Sequence, residues 1–403
     1  MTRPRLFPTF PPGGPLRPRS AFRRLPEWLA QLLLLCVGLL AGADAADSPS
    51  SGTNFTSASI AALLQPIRER HNVPAVAGAL VSSRGLIGIG VVGVRKRGVA
   101  TPATTNDVWH LGSETKMMTA TLAAVLVEEG RLRWTSTVAE SFPELAPEID
   151  PAWRSVTLTQ LLTHRAGLVA NLDWASLARR GDVRAQRLAA VREAFRSAPR
   201  FPPGTRFEYS NLGYVVAGAM IERLGDRTWE AEMQRRLFQP LAMRHAGFGG
   251  VGTRGRIDAP WPHRADGQPE AGNGPDIDNP PVLGPAGRVH APLADWARFV
   301  ADQLRGARGG RGLLPAGSYH VLQTPADGAD YALGWAVTTR EWAGGRALTH
   351  TGSNTMNFAV VWMSPARDFA VLVCVNQGGD TAARAADEAA WALIQSQGVG
   401  PHH

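Results

Sequence analysis

The chain has 403 residues, of which 44% are hydrophobic, and a formal net charge of +8 from 42 Lys and Arg against 34 Asp and Glu. This length and apolar fraction are ample for a large core, in one composite domain or two. The arginines are dispersed among acidic residues without a basic stripe or stacking aromatics, so the composition argues against nucleic-acid binding.

The N-terminal segment 1–45 predicts a secretory signal peptide. Six arginines precede the apolar run 28–40, and Ala43-Asp44-Ala45 supplies a small-x-small cleavage site. We therefore expect an exported protein, periplasmic or extracellular, whose mature domain covers residues 46–403. The alternative is a retained membrane anchor, although the apolar run is shorter than the ~20 residues that a spanning helix needs. Membrane association is expected only through such an uncleaved leader.

The two cysteines, Cys36 and Cys374, do not predict an intrachain disulfide. Cleavage of the leader removes Cys36 and leaves a single cysteine in the mature chain. Cys374 lies in an apolar, strand-like run, and we interpret it as a small core residue.

The first part of the mature chain predicts a helix, a hairpin and a buried central helix. Helical periodicity covers residues 60–70, and two strand-like runs follow at 75–81 and 86–94. The run 117–128 is rich in helix formers and has apolar residues on more than one face, which is typical of a helix in the middle of a domain.

The pattern from residue 130 to about 287 is helical or irregular. Amphipathic helices are predicted at 158–162, 188–195 and 215–224. The segment 247–285 is dense in Gly, Pro, Asp and Arg and too long for a simple connector. We interpret it as a loop laid over a pocket, with Trp261 and His263 as candidates for specificity, and surface disorder is the alternative.

Strand patterns return in the C-terminal part. A helix over 293–304 precedes strands at 331–340, 347–350, 358–363 and 369–376, and a final helix covers about 381–395. Strands at both ends around a helical middle predict one sheet built from both ends of the chain. The α/β part would comprise 55–129 and 290–396, with a helical insertion at 130–289 and a cleft at their junction.

Ser113 and Lys116, at the start of the central helix, form a candidate nucleophile and base. Residues three apart share a helical face, so the hydroxyl and the amine can come within hydrogen-bond reach. The helix dipole and burial both lower the pKa of a lysine in the first turn, and a neutral lysine is a usable base. The alternative is that Ser113 is an N-cap and Lys116 a surface charge.

Lysine usage across the chain favours the chemical role. Only Lys96 and Lys116 are lysine, and the other 40 of the 42 cationic residues are arginine. Arginine cannot be deprotonated in a protein and cannot replace a lysine that must accept a proton. A lysine at position 116 therefore calls first for a chemical explanation.

Tyr209-Ser210-Asn211 follows Pro202-Pro203-Gly204 and precedes a helix, so it is expected on a loop. A tyrosine near a lysine is expected to have a stabilised phenolate and to relay protons to and from a serine oxygen. The amide of Asn211 can bind Lys116 and a substrate carbonyl together. The alternative is a turn in which the tyrosine packs and the asparagine caps the next helix.

His350-Thr351-Gly352 ends a predicted strand. The glycine allows a substrate backbone to pair along the strand edge, and the imidazole can donate to a tyrosine oxygen or a carboxylate. The alternative is a structural histidine. The ten histidines show no HExxH or HxxEH spacing, so we expect no metal and no cofactor.

In this order the three motifs resemble those of the penicillin-binding protein, class C β-lactamase and related esterase superfamily of serine hydrolases, over residues 55–396. Further stretches that match are 161–168, 203–204, 284–287, 295–299 and 331–335. The resemblance implies an α+β, β-lactamase/transpeptidase-like fold, in which an antiparallel sheet is flanked by helices and an all-helical region is inserted.

The resemblance also assigns roles to the motif residues. It makes Ser113 the nucleophile, with Lys116 and Tyr209 as its acid/base partners, and it places an oxyanion hole at the backbone N–H groups of Ser113 and Ser353. The remaining positions become polar or substrate-binding groups of the cleft: Asn211, His350, Thr351 and Gly352.

Some residues depart from the family pattern. β-Lactamases of this family usually carry lysine where His350 stands, and a histidine that is only partly charged favours ester or peptide substrates over β-lactams. Asn357 stands where relatives commonly have glycine. Arg288 and His290 stand where small residues are usual after Gly287.

The leading functional hypothesis is an exported serine hydrolase that acts through an acyl-enzyme on Ser113, with an ester or a D-amino-acid peptide as its small-molecule substrate. A second hypothesis is β-lactamase or D-Ala-D-Ala carboxypeptidase activity. A third, of another class, is a binding module that holds cell-wall peptide without turnover.

Overall fold

The computed structural model describes residues 55–225, 227–326 and 328–399. The predicted signal peptide and the residues up to 54 lie outside the described part. From residue 55 onward, the first elements are α1 (Ser57–His71), β1 (Ala75–Ser82) and β2 (Gly85–Gly93). The Thr56 side chain caps α1 by accepting from the Ser59 N–H, and β1 and β2 pair as the predicted antiparallel hairpin.

The short strand β3 (Val108–His110) leads into a 3₁₀ turn, Gly112–Glu114, and the central helix α2 (Thr115–Glu128). Most residues of α2 are buried, on every face of the helix, which agrees with its lack of a single apolar stripe. The helix therefore lies inside the domain.

In the helical middle of the chain, side-chain caps define where the helices begin. Its helices are α3 (Val138–Ser141), α4 (Leu158–Leu162), α5 (Trp174–Leu177), α6 (Val183–Phe195), α7 (Asn211–Arg223) and α8 (Trp229–Met233). Helix α4 has the predicted bounds, whereas α6 and α7 begin four or five residues earlier than their apolar pattern indicated. Asp182 and Ser210 cap these earlier starts by accepting backbone N–H groups.

A second, smaller sheet follows the helices. Strand β4 (Gly247–Phe248) and strand β5 (Val289–Pro292), separated by α9 (Gly284–Gly287), join β3 in the order β3-β5-β4. The region 130–289 therefore contains the short strand β4 besides its helices. Two residues are too few for an alternating pattern, so the sequence contained no signal for this strand.

The C-terminal elements are α10 (Leu293–Ala307), α11 (Ala316–Gln323), β6 (Ala336–Arg340), β7 (Gly345–Ser353), β8 (Phe358–Ser364), β9 (Phe369–Val375) and α12 (Gly379–Gln395). Strand β6 starts five residues later than predicted, because Gly334 at φ +84° turns the chain before it.

Within the described residues, the main sheet has six strands in the order β2-β1-β9-β8-β7-β6, and every neighbouring pair is antiparallel. Strand β1 pairs with β9, with Ala77 opposite Cys374, so one sheet is built from both ends of the chain as predicted. Cys374 is a free, buried core residue.

Helices cover both faces of this sheet. On β1, Gly78 faces Leu64 of α1 and Leu393 of α12, whereas its neighbours Ala77 and Ala79 belong to the core cluster on the other face. That second face carries α2 and α10 and continues into the helical middle. The α+β class and the antiparallel sheet flanked by helices are thus confirmed. Among the described helices, none is long and apolar enough to span a membrane.

Candidate active site

Ser113 lies on a turn that is pressed against the end of β7. Gly112, at φ +55°, has no room for a side chain, since a Cβ there would lie 2.3 Å from the backbone nitrogen of Ser353. A Cβ on Gly352 would lie 1.9 Å from Leu111 O and 2.9 Å from the Ser113 nitrogen. Glycine at both positions thus lets the backbone at Ser113 approach the backbone at Ser353.

Thr115 holds the same turn against β5. Its hydroxyl donates to Gly112 O at 2.7 Å and accepts from the Val289 N–H at 3.0 Å. The backbone of Leu111 donates to Val289 O at 2.9 Å. The small sheet that the sequence did not predict is therefore one of the supports of the Ser113 turn.

Lys116 is fully buried and its amine has three hydrogen-bond partners. Nζ lies 3.0 Å from Ser113 Oγ, 2.8 Å from Asn211 Oδ1 and 2.7 Å from Ala286 O. The Asn211 amide is oriented by its Nδ2, which donates to Asn171 Oδ1 at 2.9 Å. Two of the three partners of Lys116 are therefore acceptors only, and Ser113 is the one that also carries a proton.

Burial lowers the pKa of Lys116 well below its ordinary value, and the nearby Glu114 opposes this shift. Burial also raises the pKa of Glu114 well above its ordinary value, so that carboxyl group favours its neutral form. A neutral amine donates its two hydrogens to Asn211 and Ala286, and its lone pair then faces the Ser113 hydroxyl.

The Tyr209 side chain lies beside that of Ser113, close enough to affect the pKa of the phenol, and its ring centre lies 4.8 Å from Lys116 Nζ. Burial raises the pKa of the Tyr209 phenol well above its ordinary value, although the interaction with Ser113 opposes the shift. The expectation of a stabilised phenolate is therefore wrong. The physical reason is that the phenol is desolvated and the neighbouring amine favours its uncharged form, so no cation compensates the anion.

The Tyr209 ring packs against His164, which also contacts two other tyrosine rings. The His164 ring centre lies 4.3 Å from that of Tyr209, 5.2 Å from Tyr214 and 4.8 Å from Tyr331. Its Nδ1 accepts the Ser210 N–H at 3.0 Å, which ties it to the motif backbone. Burial, together with Lys116 and His350, lowers the pKa of His164 well below its ordinary value.

His350 lies near this group and is neutral. Its Nδ1 is 2.7 Å from Thr351 O, so Nδ1 carries the proton, and Nε2 accepts from the Tyr331 hydroxyl at 3.0 Å. Burial, with a further effect of Lys116, lowers the pKa of His350 to about 3. The expectation that this histidine is partly charged near neutral pH is thus wrong, because the ring has no solvent to stabilise its cation.

Several residues of the site carried no assignment from the sequence. Ala286, Tyr331 and His164 lie in stretches that match the family, but their contacts depend on the folded chain. Asn171, which orients Asn211, also accepts from Trp174 Nε1 at 3.1 Å, and no local pattern marked it. These groups come from segments far apart in sequence, so spacing alone could not reveal them.

The long segment 247–285 is anchored by Trp261 and His263, the two candidates for specificity. The Trp261 backbone donates to Arg95 O at 2.7 Å, and its indole donates to Glu270 O at 2.9 Å. His263 is fully buried and its Nδ1 lies 2.7 Å from Asn376 O. Trp261 and His263 therefore fix the loop to the domain. Among the described residues, no group of three or more His, Cys, Asp or Glu is arranged to hold a metal ion.

A family model described as Beta-lactamase matches residues 60–396. The chain belongs to this family. It is 28% identical over 324 residues to penicillin-binding protein 4 of Amycolatopsis lactamdurans, covering 77% of this chain and 83% of that protein. The superfamily to which these proteins belong consists of serine hydrolases that act on small-molecule β-lactam or peptide substrates.

Two solved structures show the same fold. The octameric penicillin-binding protein homologue from Pyrococcus abyssi aligns with a TM-score of 0.68 and 20% identity, over 85% of this chain and 77% of that chain. The D-alanine carboxypeptidase AmpC from Burkholderia cenocepacia aligns with a TM-score of 0.66 and 20% identity, over 84% of this chain and 98% of that chain. At this identity the likeness establishes the β-lactamase-like fold.

Proposed function

We propose that this protein is an exported hydrolase that forms an acyl-enzyme on Ser113, with an ester or a D-amino-acid peptide as substrate. The observation that carries the proposal is the convergence of three side chains. Ser113 Oγ lies 3.0 Å from a fully buried Lys116 amine, and the Tyr209 side chain lies beside both, with its ring centre 4.8 Å from Lys116 Nζ. Such a convergence is what nucleophilic catalysis by a serine requires.

The protonation states give each partner a role. The neutral Lys116 amine accepts the proton of Ser113 as Oγ attacks the carbonyl carbon of the substrate. The oxyanion that forms is stabilised by the backbone N–H groups of Ser113 and Ser353. Tyr209, which holds its proton, donates it to the leaving group as the carbonyl–leaving-group bond breaks, and Lys116 returns a proton to Tyr209. Water then releases the acyl group from Ser113.

Asn211 and His350 shape the cleft in this proposal. Asn211 holds Lys116 through Oδ1 and is itself fixed by Asn171. His350, with Thr351 and Gly352, forms the strand edge along which a substrate backbone would lie. Because His350 is uncharged, the site offers no cation at that position for the carboxylate of a β-lactam, which favours an ester or peptide.

A second candidate is β-lactamase or D-Ala-D-Ala carboxypeptidase activity. The similarity to penicillin-binding protein 4 and the fold shared with a D-alanine carboxypeptidase favour it. The third candidate, a cell-wall peptide-binding protein without turnover, is less favoured, because binding alone does not require a buried lysine beside a serine.

The decisive experiment is labelling of the purified mature chain with a fluorophosphonate. The expected adduct maps to the Ser113 peptide, and Ser113→Ala abolishes it. Screening of p-nitrophenyl esters, D-peptides, nitrocefin and a D-Ala-D-Ala peptide then separates the activities. An unlabelled Ser113 peptide, with a control serine hydrolase labelled in the same tube, refutes the nucleophile; tight peptide binding without any turnover supports the binding module.

We also propose export through cleavage of residues 1–45 and the division of the mature chain into an α/β part (55–129 and 290–396) and an insertion (130–289). Mass spectrometry of the protein recovered outside the cytoplasm should give a chain that starts at Ala46. Replacing the small residues, with Ala43→Phe and Ala45→Phe, should retain the leader. Recovery of the intact leader from the wild type would favour the membrane anchor instead.

A further inference from the structure

Asp278, in the segment 247–285, has a fully buried carboxylate that reaches both sides of the Ser113 turn. Oδ2 lies 2.9 Å from His110 Nε2 and 3.1 Å from Arg288 Nε, and Oδ1 accepts from Asn354 Nδ2 at 3.0 Å. Three chain segments that are distant in sequence thus meet at one side chain. None of these contacts is used in the acyl-transfer steps described above.

One arm of this network leads to the nucleophile. His110 Nδ1 accepts the backbone N–H of Gly112 at 3.1 Å, and Gly112 directly precedes Ser113. Since Nδ1 is an acceptor, the proton of the ring is on Nε2, which donates it to Asp278. The carboxylate therefore fixes both the tautomer and the orientation of the histidine that holds the Ser113 turn.

The other arm leads to the opposite side of the candidate oxyanion hole. Asn354 follows Ser353, and its Oδ1 accepts from the Met356 N–H at 3.2 Å and from Asn357 Nδ2 at 3.1 Å. The Ser353 hydroxyl donates to Asn357 O at 2.8 Å. Asp278 orients the amide of Asn354, so it also supports the turn that carries the Ser353 N–H.

Three of the four residues that depart from the family pattern lie around this network, and His350 does not. Arg288 binds Asp278, Asn357 binds Asn354, and His290 pairs with His110 between β5 and β3. Burial alone would raise the pKa of Asp278, but His110, Arg288 and Asn354 lower it to about 2. The carboxylate is therefore charged and fully paired, and these three departures belong to one connected structure.

We propose that Asp278 is a positioning residue that sets the distance between the backbone N–H groups of Ser113 and Ser353. The inference rests on the proposed acyl-enzyme function, since those two groups would stabilise the tetrahedral oxyanion. Such stabilisation depends on donors held at hydrogen-bond distance from the developing charge, and a displacement of about 1 Å lowers the rate about 10²-fold.

The test is a comparison of Asp278→Asn with the wild type, on the ester that the wild type hydrolyses fastest. We expect kcat to fall about 10²-fold with KM within about twofold, because the ground-state carbonyl carries little charge. The pH dependence of kcat/KM should keep its shape, because the Ser113–Lys116 contact is unchanged. The concentration of active sites is measured by labelling Ser113 to completion with a fluorophosphonate, so that unfolded protein is not counted when kcat is calculated.

Asp302→Asn is the matched control. Asp302 is also buried, and its carboxylate accepts from the Tyr319 hydroxyl and the Leu313 N–H between α10 and α11. The Asp302→Asn variant should be less stable than the wild type but should keep the same kcat per labelled site. Equal kcat for Asp278→Asn and the wild type, or equal losses in both variants, would overturn the proposal.

A second variant covers the case in which Asp278→Asn does not fold. Asn354→Ala leaves the buried Asp278–Arg288 pair intact and removes only the arm to Ser353, and we expect kcat to fall about 10-fold with KM kept. An unchanged kcat would overturn the inference while labelling of Ser113 still supports the proposed function. Failure of the wild type to label at Ser113 would instead remove the proposed function and, with it, this inference.

Discussion

Lys116 is the residue whose protonation state decides what the site can do. Its amine is enclosed by Ser113, Asn211 and Ala286, and burial lowers its pKa. An arginine in this place would stay charged and could accept no proton. The chemistry proposed here therefore depends on a single buried amine, and the same burial makes folding depend on pH.

The change of folding stability with pH tests whether Lys116 is neutral in the folded protein. Because the folded-state pKa of Lys116 is lowered, the unfolded chain binds a proton that the folded chain does not, over the pH range between the two pKa values. The wild type should therefore gain stability as pH rises toward the unfolded lysine pKa of about 10.4. Lys116→Met should remove this gain, so that the two curves of unfolding free energy against pH converge or cross.

Denaturant titrations at a series of pH values measure both curves. Lys96→Met, which removes the other lysine of the chain, controls for the loss of an amine as such. Parallel curves for the wild type and Lys116→Met would contradict a neutral lysine in the folded protein.

Tyr209→Phe tests the proposed acid. The substitution keeps the ring that packs on His164 and removes the hydroxyl group that carries the phenolic proton. We expect kcat to fall by about 10²–10⁴-fold, the usual contribution of general acid–base catalysis. Tyr319→Phe is the control. Tyr319 is a buried tyrosine of α11 whose hydroxyl donates to Asp302 of α10, and the variant should keep kcat. An active Tyr209→Phe variant would assign the proton transfer to another group.

At the scale of elements, apolar strands and the central helix were predictable because their patterns are local. The run 331–335 was not, since its composition is that of a strand but Gly334 turns the chain there. A Cβ on Gly334 would lie 2.8 Å from the Met117 Cα, so this turn rests against α2 just beyond Lys116. Such a contact is a property of the fold, and no window of sequence contains it.

The close approach of β7 to the Ser113 turn gives a prediction at this scale. In Gly352→Ala the new Cβ would meet Leu111 O at 1.9 Å, so β7 and the turn must separate. We expect ester hydrolysis to be lost and the unfolding free energy to fall by about 1–3 kcal/mol. Gly317→Ala in α11, where a Cβ meets nothing within 4 Å, should be neutral or stabilising. Full activity of Gly352→Ala would mean that the two backbones do not touch as described.

At the scale of the whole molecule, the site lies where the sheet and the helical middle interlock. The three motifs were recognisable because each is short and carries its own chemistry. Their supports were not, since Asp278 reaches the site from the irregular segment 247–285 and Ala286 from the short helix α9 that follows it. The reacting groups can therefore be recognised in short stretches of sequence. The atoms that orient them are brought into place by contacts between distant parts of the chain.

The contacts between the α/β part and residues 130–289 predict that these two parts unfold together. Lys116 and Thr119 of α2 donate to Ala286 O and Pro285 O at 2.7 Å, and Pro285 packs on Gly218 of α7 with no space for a Cβ. Hydrogen exchange of the α7 amides should therefore follow the same denaturant dependence as that of β9, through global unfolding. The short helix α5 (Trp174–Leu177) serves as an internal reference for local opening. Exchange of α7 well before β9 would show that residues 130–289 unfold independently and that the contacts of Ala286 and Pro285 do not couple the two parts.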